Sequence, residues 1–458
     1  MQCKQFYLGC LAHASYYLGS DGEAAIIDPQ RDVQQYLDEA KANNQQIKYI
    51  IETHSHADFV SGHNELANKT GAKIIFGAKA QPTFDFLPVK DGDEINVGKI
   101  KLKFMETPGH TPESICILAE NTESPDEPMK LFTGDTLFIG DVGRPDLIGS
   151  KGFTAEQMAS MLYDSLNTKV LPLPDETQVY PAHGAGSLCG KSLSSETWST
   201  LGNQRIYNYA LQPMTKEDFV EIVAANQPEV PMYFPKSAAK NLQGSVALED
   251  LPKPKKLTSE ELKDFDGVVL DVRVNYDYGG GHVPNSINIG LGGQFASWAG
   301  TLILIGTPIA IIAETEAQVD EAFMRLARVG IETAVGYLLI SDWDGEKAKI
   351  GQVSVSEVRE ILNSDIQFVD VRRVPEHSNG HAPKTINFPL DSLPKEIGKL
   401  NPEKPTYVIC QSGYRSSTAT SILENAGFKE IYNVTGGTKA WIEAGFDTEV
   451  SATACASS

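Results

Sequence analysis

The sequence lacks any run of about 18 consecutive apolar residues, which excludes an ordinary membrane-spanning helix. Basic residues are also scarce: 39 Lys and Arg stand against 60 Asp and Glu, a formal net charge of -21. That balance argues against nucleic acid or an anionic membrane surface as a partner. The first residues, MQCKQFYLGCLAHASYYLG, lack the basic segment followed by an apolar segment that marks a signal peptide. We therefore expect a cytoplasmic protein with no membrane partner.

Cysteine is rare, and no two cysteines are spaced as C-x-x-C. Six thiols spread over 458 residues indicate reduced cysteines rather than a disulfide framework. They are Cys3, Cys10, Cys116, Cys189, Cys410 and Cys455. A functional role for any one of them must therefore be argued from its own neighbours.

A chain of 458 residues has the length of about three domains. In the first half, apolar runs between turns predict strands, and amphipathic stretches between them predict helices. The predicted strands are IKYIIETH, AKIIFG, IKLKFMETPGH and MKLFTGDTLF, and the predicted helices are VQQYLDEAKANN and TAEQMASMLYDSL. Histidine and aspartate cluster just past the strand ends, where α/β folds place active sites on loops. Residues 249–258, EDLPKPKKLT, resemble a linker.

The second half contains two similar copies of about 95 residues each, 257–345 and 353–450. Each copy reads as strands alternating with loops and a helix, which predicts an α/β domain with a mostly parallel sheet. Matching pairs are Asp271 with Asp370, His282 with His381, Pro308 with Pro405, and Gly330 with Gly427. The copies differ at one loop, where Ala313, Glu316 and Gln318 align with Cys410, Gly413 and Arg415. The scaffold is duplicated, but this loop chemistry is not.

The segment VICQSGYRSSTAT runs from an apolar strand through a short loop into a helix. Backbone amides at such a loop favour an anion, so Cys410 would be held as a nucleophilic thiolate, and Arg415 could bind an oxyanion. A buried structural cysteine is the alternative. A phosphatase loop would have five residues between Cys and Arg. The four found here make a tighter loop, suited to a sulfane sulfur on the thiolate.

This loop resembles the C-x-x-G-x-R signature of the rhodanese sulfurtransferases, and DVR and GHAPKTINFPL resemble the flanking signatures of that family. The resemblance covers 353–450 and, without the cysteine, 257–345. It implies that Cys410 and Arg415 are catalytic and that Gly413 and Ser416 contact substrate. The copy without a cysteine would then be an inactive structural or docking module.

Four segments of the first half carry metal-type residues: THSHADFVSGH, TPGHTPES, TGDTLFIGDVGRPDL and YPAHGAGSLCGK. Their order resembles the metallo-β-lactamase fold, whose loops collect His and Asp around one or two metal ions. The resemblance covers residues 1–245 and implies an αββα sandwich, followed here by two rhodanese-like α/β domains. One histidine alone would be better explained as a core or surface residue, but four loops in this order are hard to obtain by chance.

The dinuclear hydrolases of that fold, such as glyoxalase II, carry H-x-H-x-D-H, and here Phe59 replaces the last histidine. A second metal would rely on Asp58, His183 and a bridging Asp135, which handicaps a mechanism based on two paired ions. A mononuclear site remains, with two imidazoles and one carboxylate as in non-haem Fe(II) oxygenases. Mononuclear zinc members of the fold also exist.

The combination of CLAHASY, ETHSHADF and IGDVGRPDL resembles the persulfide dioxygenases. That resemblance implies one Fe(II) per chain, with zinc as a substitute, bound by His54, His110 and Asp135. Residues that would orient ligands or hold water are His56, Asp58 and His183. Arg144 would bind an anionic substrate, with an ion pair to Asp141 or Asp146 as the alternative. Cys189 would touch substrate, or else is a buried inert thiol.

The family resemblances together imply an enzyme of sulfide detoxification. Its partners would be a low-molecular-weight thiol persulfide, O2, and sulfite or thiosulfate, and we expect a homo-oligomer. Two alternatives are open: a zinc-dependent, glyoxalase II-like thioester hydrolase fused to a sulfur-relay module, and a non-catalytic sulfur-relay or scaffold protein. The direction of sulfur flow and the identity of the thiol are not encoded in these motifs.

Overall fold

The computed structural model of the protein describes residues 1–147, 152–191, 193–225, 227 and 229–450. The segment SATACASS, whose small and polar residues predict a flexible tail, lies outside the described residues, and so does Cys455 within it. The chain divides into two units, Met1–Leu251 with Ala327–Gly330, and Pro252–Leu326 with Ile331–Ser458. Among the described residues, no helix is long and apolar enough to cross a membrane. The five cysteines in that part of the chain are all free thiols.

The first unit contains two six-stranded sheets. The strands of the first sheet, in their order across it, are β1 (Gln2–Leu8), β2 (His13–Ser20), β3 (Glu23–Ile27), β4 (Gln46–Ile51), β5 (Lys73–Gly77) and β6 (Leu87–Val89). The second sheet has the order β12 (Ser199–Thr200), β11 (Gln178–Pro181), β10 (Lys130–Gly134), β9 (Ile115–Asn121), β8 (Ile100–Glu106) and β7 (Glu94–Val97). The sheets share one apolar core, which contains Leu18 of β2 and Phe104 of β8. They therefore pack face to face.

Helices cover the outer face of both sheets. The helices of this unit are α1 (Gln34–Ala42), α2 (His63–Thr70), α3 (Ala155–Ser165), α4 (Leu201–Tyr207), α5 (Lys216–Ala224) and α6 (Phe234–Gln243). Successive strand residues point to opposite faces, so Tyr17 of β2 packs with α1 and α2, whereas Leu18 faces the other sheet. Met105 of β8 likewise packs with α3 and α5. The resulting four layers confirm the predicted metallo-β-lactamase αββα architecture.

The second unit contains two five-stranded sheets with the same strand order. The first is β13 (Lys255–Lys256), β17 (Ala334–Leu339), β16 (Ile309–Ala313), β14 (Val268–Asp271) and β15 (Ile287–Asn288). The second is β18 (Gly351–Val353), β22 (Ile431–Val434), β21 (Thr406–Ile409), β19 (Gln367–Asp370) and β20 (Ile386–Asn387). All pairings within both sheets are parallel. The repeat seen in the sequence is therefore also a repeat of topology.

Helices connect the parallel strands of the second unit, as such crossovers require. They are α7 (Ser259–Lys263), α8 (Asn275–Gly280), α9 (Phe295–Leu302), α10 (Glu316–Arg328), α11 (Val355–Ile361), α12 (Val374–Ser378), α13 (Leu393–Glu396), α14 (Tyr414–Asn425) and α15 (Gly437–Glu443). Below, residues 257–345 are called the cysteine-free copy and residues 353–450 the cysteine-bearing copy. The exact extents of the three predicted domains stay a prediction.

The four predicted strands of the first half correspond to β4, β5, β8 and β10, and the two predicted helices to α1 and α3. The predicted linker 249–258 is only partly a linker. Lys255 and Lys256 form β13, which pairs with Gly336 and Tyr337 at the edge of a sheet. The physical reason is that an edge strand can consist of exposed lysines, which carry no apolar signal.

Candidate active sites

The first predicted metal ligand, His54, is held by hydrogen bonds that begin at a neighbouring strand. Asp28 follows β3 and has a left-handed backbone with φ 51°. Its carboxylate accepts hydrogen bonds from the amide of Thr53 at 2.7 Å and from the hydroxyl of Thr53 at 2.8 Å. Because that hydroxyl gives its proton to Asp28, it accepts from Nδ1 of His54, 3.0 Å away. Nε2 of His54 is then left without a proton, as a metal ligand requires.

His110 is oriented in the same way by a backbone carbonyl. Nδ1 of His110 donates to the carbonyl oxygen of Arg144 at 2.9 Å, since a carbonyl can only accept. Nε2 of His110 lies 3.3 Å from Oδ2 of Asp135, and Nε2 of His54 lies 3.7 Å from the same oxygen. The three side chains are buried, and their ligand atoms all lie within 4.8 Å of one another. The structure thus brings together the three residues predicted as ligands.

These three side chains fit a bound cation. Nε2 of His54 and both carboxylate oxygens of Asp135 are buried and have no hydrogen-bond partner among the described residues. Burial lowers the pKa of His110 to about 4 and holds the pKa of His54 well below its ordinary value. Burial also raises the pKa of Asp135 well above its ordinary value. Two neutral imidazoles beside a buried carboxyl group without a counter-charge are an arrangement that a divalent cation would satisfy.

A second group of donors lies beside the first. It consists of His56, Asp58 and His183, whose ligand atoms also lie within 4.8 Å of one another. Nε2 of His183 is 3.4 Å from Oδ2 of Asp58 and 3.6 Å from Oδ1 of Asp135. The two oxygens of Asp135 therefore face different groups. The structure places these three residues next to the predicted ligands, where the sequence analysis expected supporting residues.

Phe59, which replaces a histidine of the hydrolase motif, packs beside the second group. Its side chain is buried, and its ring centroid is 4.6 Å from that of His56 and 4.0 Å from that of His13. A hydrocarbon ring therefore fills space there without adding a ligand. His13 lies in CLAHASY, but its position in that motif predicts no particular role. His13 is buried, and its Nε2 lies 2.9 Å from the carbonyl oxygen of Asp28, another residue that the analysis missed.

Arg144, predicted to bind substrate, makes the ion pair to Asp146 that the motif left open as its alternative role. Its Nε and Nη2 donate to Oδ1 and Oδ2 of Asp146 at 2.7 and 2.8 Å, and its side chain is fully buried. The Arg144 carbonyl also holds His110, so the ion pair fixes the backbone at a ligand. Contact between Arg144 and a substrate stays a prediction.

Cys189 lies at the metal centre. Its thiol is within 4.8 Å of ligand atoms of Asp135 and His183, and its carbonyl oxygen accepts a hydrogen bond from the amide of Arg144 at 2.9 Å. Burial raises the pKa of this thiol well above its ordinary value. The sequence spacing from His183 was therefore a correct signal for proximity, while substrate contact by Cys189 stays a prediction.

The cysteine loop follows β21 and ends where α14 begins. Cys410 is buried, and its Sγ accepts a hydrogen bond from the amide of Gly413 at 3.2 Å. The Ser416 hydroxyl lies 3.4 Å from the same sulfur. Gly413 has φ 96°, a left-handed conformation that favours glycine. The loop therefore places the Gly413 amide and the Ser416 hydroxyl beside the sulfur.

Arg415 makes a bidentate ion pair with Glu376 of α12. Its Nη1 and Nη2 donate to the two carboxylate oxygens of Glu376, each at 2.7 Å. Burial alone would raise the pKa of Glu376, but the hydrogen bonds and positive charge of Arg415 hold it below its ordinary value. This pair fixes the loop to α12. Binding of an oxyanion by Arg415 stays a prediction.

The matching loop of the cysteine-free copy has a different backbone. Ala313 is the buried last residue of β16. Glu316, at the position of Gly413, begins α10 and is not among the described residues with positive φ. The side-chain oxygen of Gln318 accepts a hydrogen bond from the backbone amide of Glu314 at 2.8 Å. That amide is therefore already used within the protein and is not available to a bound anion. This loop lacks both the sulfur and the conformation that surrounds it.

Known families match two parts of the chain. The metallo-beta-lactamase superfamily matches residues 8–183, and the rhodanese-like domain matches residues 354–444. Together with the four-layered fold and the His and Asp centre, these matches define a metallo-β-lactamase-fold protein with a C-terminal rhodanese-like domain.

Several individual relatives also match parts of the chain. Persulfide dioxygenase ETHE1, mitochondrial, of Bos taurus is 30% identical over 46% of this chain and 75% of its own length. Hydroxyacylglutathione hydrolase of Polaromonas sp. is 38% identical over 35% of this chain and 57% of its own length. The crystal structure of a metallo-beta-lactamase from Staphylococcus aureus subsp. aureus COL is 33% identical, with a TM-score of 0.69, over 74% of this chain and 99% of that chain.

The chain therefore belongs to the metallo-β-lactamase superfamily, and its homologues there include ETHE1 persulfide dioxygenases. Together with the C-terminal rhodanese-like domain, this is consistent with the fusion expected from the motifs. The chain spans only 57% or 58% of the length of several curated relatives that it matches.

Proposed function

We propose that the protein is a non-haem Fe(II) persulfide dioxygenase coupled to a sulfurtransferase in sulfide detoxification. The observation that carries the proposal is the donor set of His54, His110 and Asp135, with unpaired buried atoms that converge, beside a phenylalanine where the hydrolases carry a further histidine. Two imidazoles and one carboxylate are the ligands typical of non-haem Fe(II) oxygenases. The ETHE1 relatives and the rhodanese match support the same chemistry.

In the proposed reaction, one persulfide, one O2 and one water give one thiol and one sulfite. Bound Fe(II) would supply the reactivity with O2. Thr53 and the Arg144 carbonyl each fix the proton of one histidine on Nδ1, so that Nε2 of His54 and of His110 stays available as a ligand. The buried positions of these groups exclude bulk water from the centre. Phe59 packs against the rings of His13 and His56, at the edge of the second donor group.

The proposed transfer occurs at Cys410. Its thiolate attacks the outer sulfur of a donor such as thiosulfate, a new S–S bond forms, and the donor S–S bond breaks, so that sulfite leaves with the electron pair. In the opposite direction, sulfite removes the sulfur from the Cys410 persulfide as thiosulfate. The Gly413 amide donates to Sγ and would stabilise negative charge on the sulfur in both directions.

Metal analysis of anaerobically purified protein, followed by O2 uptake with several thiol persulfides, tests the dioxygenase proposal. We expect one iron per chain, and we expect His54→Ala, His110→Ala and Asp135→Ala each to abolish iron binding and O2 uptake. His63→Gln is a matched control, because His63 is buried near the site but donates to Glu52 and belongs to neither donor group. That control should keep the iron.

A second candidate function is a zinc-dependent thioester hydrolase fused to a sulfur-relay module. The specific observation in its favour is the second donor group of His56, Asp58 and His183, and the hydroxyacylglutathione hydrolase relatives agree with it. Metal content separates the two candidates. Two zinc ions per chain together with thioesterase activity would contradict the dioxygenase proposal.

A further inference from the structure

One face of helix α14 contacts the cysteine-free copy along its whole length. The residues on that face are Tyr414, Ser417, Ser421 and Asn425, spaced by three or four as one side of a helix requires. The hydroxyl of Ser417 donates to Oδ1 of Asn288 at 2.6 Å, and the hydroxyl of Ser421 accepts from the amide of Asn288 at 3.1 Å. The helix that follows the cysteine loop is thus fixed by residues of the copy that has no cysteine.

The contact continues beyond the helix into the loop itself. Nδ2 of Asn275, the first residue of α8 in the cysteine-free copy, donates to the carbonyl oxygen of Gly413 at 3.3 Å. Nδ2 of Asn433 donates to the same oxygen, also at 3.3 Å, from within the cysteine-bearing copy. One carbonyl of the cysteine loop is therefore held from both copies.

Tyr414 adds a second link next to the first. Its hydroxyl donates to the carbonyl oxygen of Gly290 at 2.8 Å. A Cβ at Gly290 or Gly293 would lie 3.6 Å from the Tyr414 ring, so the ring rests on this glycine-rich segment. Asn275 and Tyr414 therefore connect both sides of the 413–414 peptide group to the cysteine-free copy.

Holding this peptide group has a consequence for the sulfur. A planar peptide fixes the direction of the Tyr414 amide once the Gly413 carbonyl is fixed. Holding the Gly413 carbonyl also restricts rotation about the Cα–C bond of Gly413. The amide of the same residue donates to Sγ of Cys410. Gly413 has the left-handed φ of 96°, and glycine alone populates many other conformations. Restraint of this carbonyl therefore selects the loop conformation in which an amide points at the sulfur.

We propose that Asn275 is a positioning residue for sulfur transfer at Cys410, which gives the cysteine-free copy a role in that reaction. This inference rests on the proposed transfer function. Asn275 corresponds to Val374 in the cysteine-bearing copy by the alignment of Asp271 with Asp370, so the amide belongs to one copy only. The cysteine-free copy thus supplies the side-chain amide of Asn275, which keeps the loop around Cys410 in the conformation that transfer requires.

The test uses the full chain, with thiosulfate as the sulfur donor, and follows sulfur addition to Cys410 by mass spectrometry in single turnovers. Asn275→Ala should lower the rate at saturating thiosulfate by about tenfold. The effect should be smaller than that of removing a hydrogen-bond donor to the sulfur, because this variant only misdirects the Gly413 amide. The thiosulfate concentration that gives half the maximal rate should not change, because Asn275 does not touch the donor. Alkylation of Cys410 by iodoacetamide should slow in parallel.

Two further variants separate hydrogen bonding from packing. Asn275→Asp keeps the shape but replaces a donor with an acceptor that faces a carbonyl, so its rate should fall at least as far as that of Asn275→Ala. Asn425→Ala is the matched control, because Nδ2 of Asn425 also donates to backbone carbonyls of the cysteine-free copy, at Asn285 and Ser286, but from the far end of α14. Its rate should stay at the wild-type value.

A wild-type rate in folded Asn275→Ala or Asn275→Asp would overturn the proposal, as would an equal loss in Asn425→Ala. Urea unfolding establishes which variants are folded. Should Asn275→Ala unfold, Tyr414→Phe replaces it as the test, because it removes only the hydroxyl that binds Gly290 and should lower the maximal rate in the same direction. A wild-type chain that takes up no sulfur at Cys410 would refute the transfer function itself.

Discussion

Two histidines of the metal centre owe their usable nitrogen atoms to acceptors on the far side of each ring. The Thr53 hydroxyl serves His54, and the Arg144 carbonyl serves His110. A hydroxyl committed to Asp28 and a carbonyl that can only accept have the same effect, since each leaves Nε2 unprotonated. Thr53 directly precedes His54 in the sequence, and Arg144 lies on the loop that follows Asp135. A small backbone change at either place would therefore misdirect a histidine.

The Arg144–Asp146 ion pair provides a test of this support. Asp146→Asn removes the carboxylate charge from a fully buried guanidinium, whereas the Asp146 side chain itself is 26% exposed. We expect a loss of about 1–3 kcal/mol in the free energy of unfolding, less than for a wholly buried pair because solvent screens one side. Iron should also be lost faster to a chelator, because the Arg144 carbonyl orients His110. Urea unfolding and iron release rates measure the two effects.

The Arg205–Asp175 pair supplies the control, because its side chains are 32% and 67% exposed, whereas the Arg144 side chain is fully buried. Asp175→Asn should change the free energy of unfolding by less than about 1 kcal/mol and should not alter iron release. Equal iron release from the wild type and Asp146→Asn would contradict the supporting role of Arg144.

The grouping of the three predicted ligands could be predicted from the sequence, but most of the residues that support them could not. His54, His110 and Asp135 stand in motifs with a characteristic order, which a reader of the chain can recognise. Asp28 is a single aspartate after a strand, and its role depends on the pairing of β3 with β4, a long-range contact. From the sequence, Arg144 could pair with Asp141 or Asp146 or bind a substrate. The pair with Asp146 became evident only in the folded structure.

At the scale of elements, strand ends bring the donors together. β4 precedes His54, β8 precedes His110, β10 precedes Asp135, and β11 precedes His183. The first of these belongs to one sheet and the other three belong to the second. The metal centre therefore forms where loops from both sheets of the sandwich meet. Apolar strands followed by polar loops made this part predictable, whereas β13, with two exposed lysines, gave no such signal.

The cysteine loop is also a property of an element, because the turn from strand to helix sets its conformation. Ala313→Cys should therefore not make the cysteine-free copy a sulfur carrier. A thiol at residue 313 would still precede Glu316, which lacks the left-handed conformation of Gly413, and the Gln318 side chain would still occupy the Glu314 amide. In a Cys410→Ser background, mass spectrometry after thiosulfate treatment should find no sulfur added within residues 257–345.

The matched variant carries Ala313→Cys, Glu316→Gly and Gln318→Arg together, which restores the whole loop pattern. Its uptake of sulfur should exceed that of the single variant. Full transferase activity from Ala313→Cys alone would show that the sulfur, and not the loop conformation, is what the first copy lacks.

At the scale of the whole molecule, a duplicated scaffold has one reactive copy. Both sheets of the second unit keep the same strand order, and both keep a buried Asp–Arg pair just after the strand, at Asp271 with Arg273 and Asp370 with Arg372. These pairs hold the same backbone turn in both copies, whereas the cysteine, the glycine and the arginine of the loop occur in one copy only. The repeat, and the absence of the cysteine from one of its copies, could be read from the sequence. The contacts of α14 with the other copy could not, because they depend on how the two copies pack.

The two proposed activities should separate by mutation. Cys410→Ser replaces a thiol with a hydroxyl that keeps its proton near neutral pH, so it should end sulfur transfer. The same variant should still take up O2, because the proposed iron chemistry needs no protein thiol to form sulfite. Its product should shift from thiosulfate towards sulfite, with some thiosulfate formed by the direct reaction of free persulfide with sulfite. The complementary variant, His110→Ala, should lose O2 uptake and keep the transfer of sulfur between thiosulfate and thiol.

The ratio of sulfite to thiosulfate formed by Cys410→Ser is therefore the decisive measurement. A matched control is Cys3→Ser, which changes a thiol of β1 that belongs to neither donor group and not to the cysteine loop, and should leave the ratio at the wild-type value. A Cys410→Ser chain that keeps its iron but no longer takes up O2 would mean that Cys410 delivers sulfur to the iron directly. In that case the two activities form one obligatory sequence, and each must be measured with the other intact.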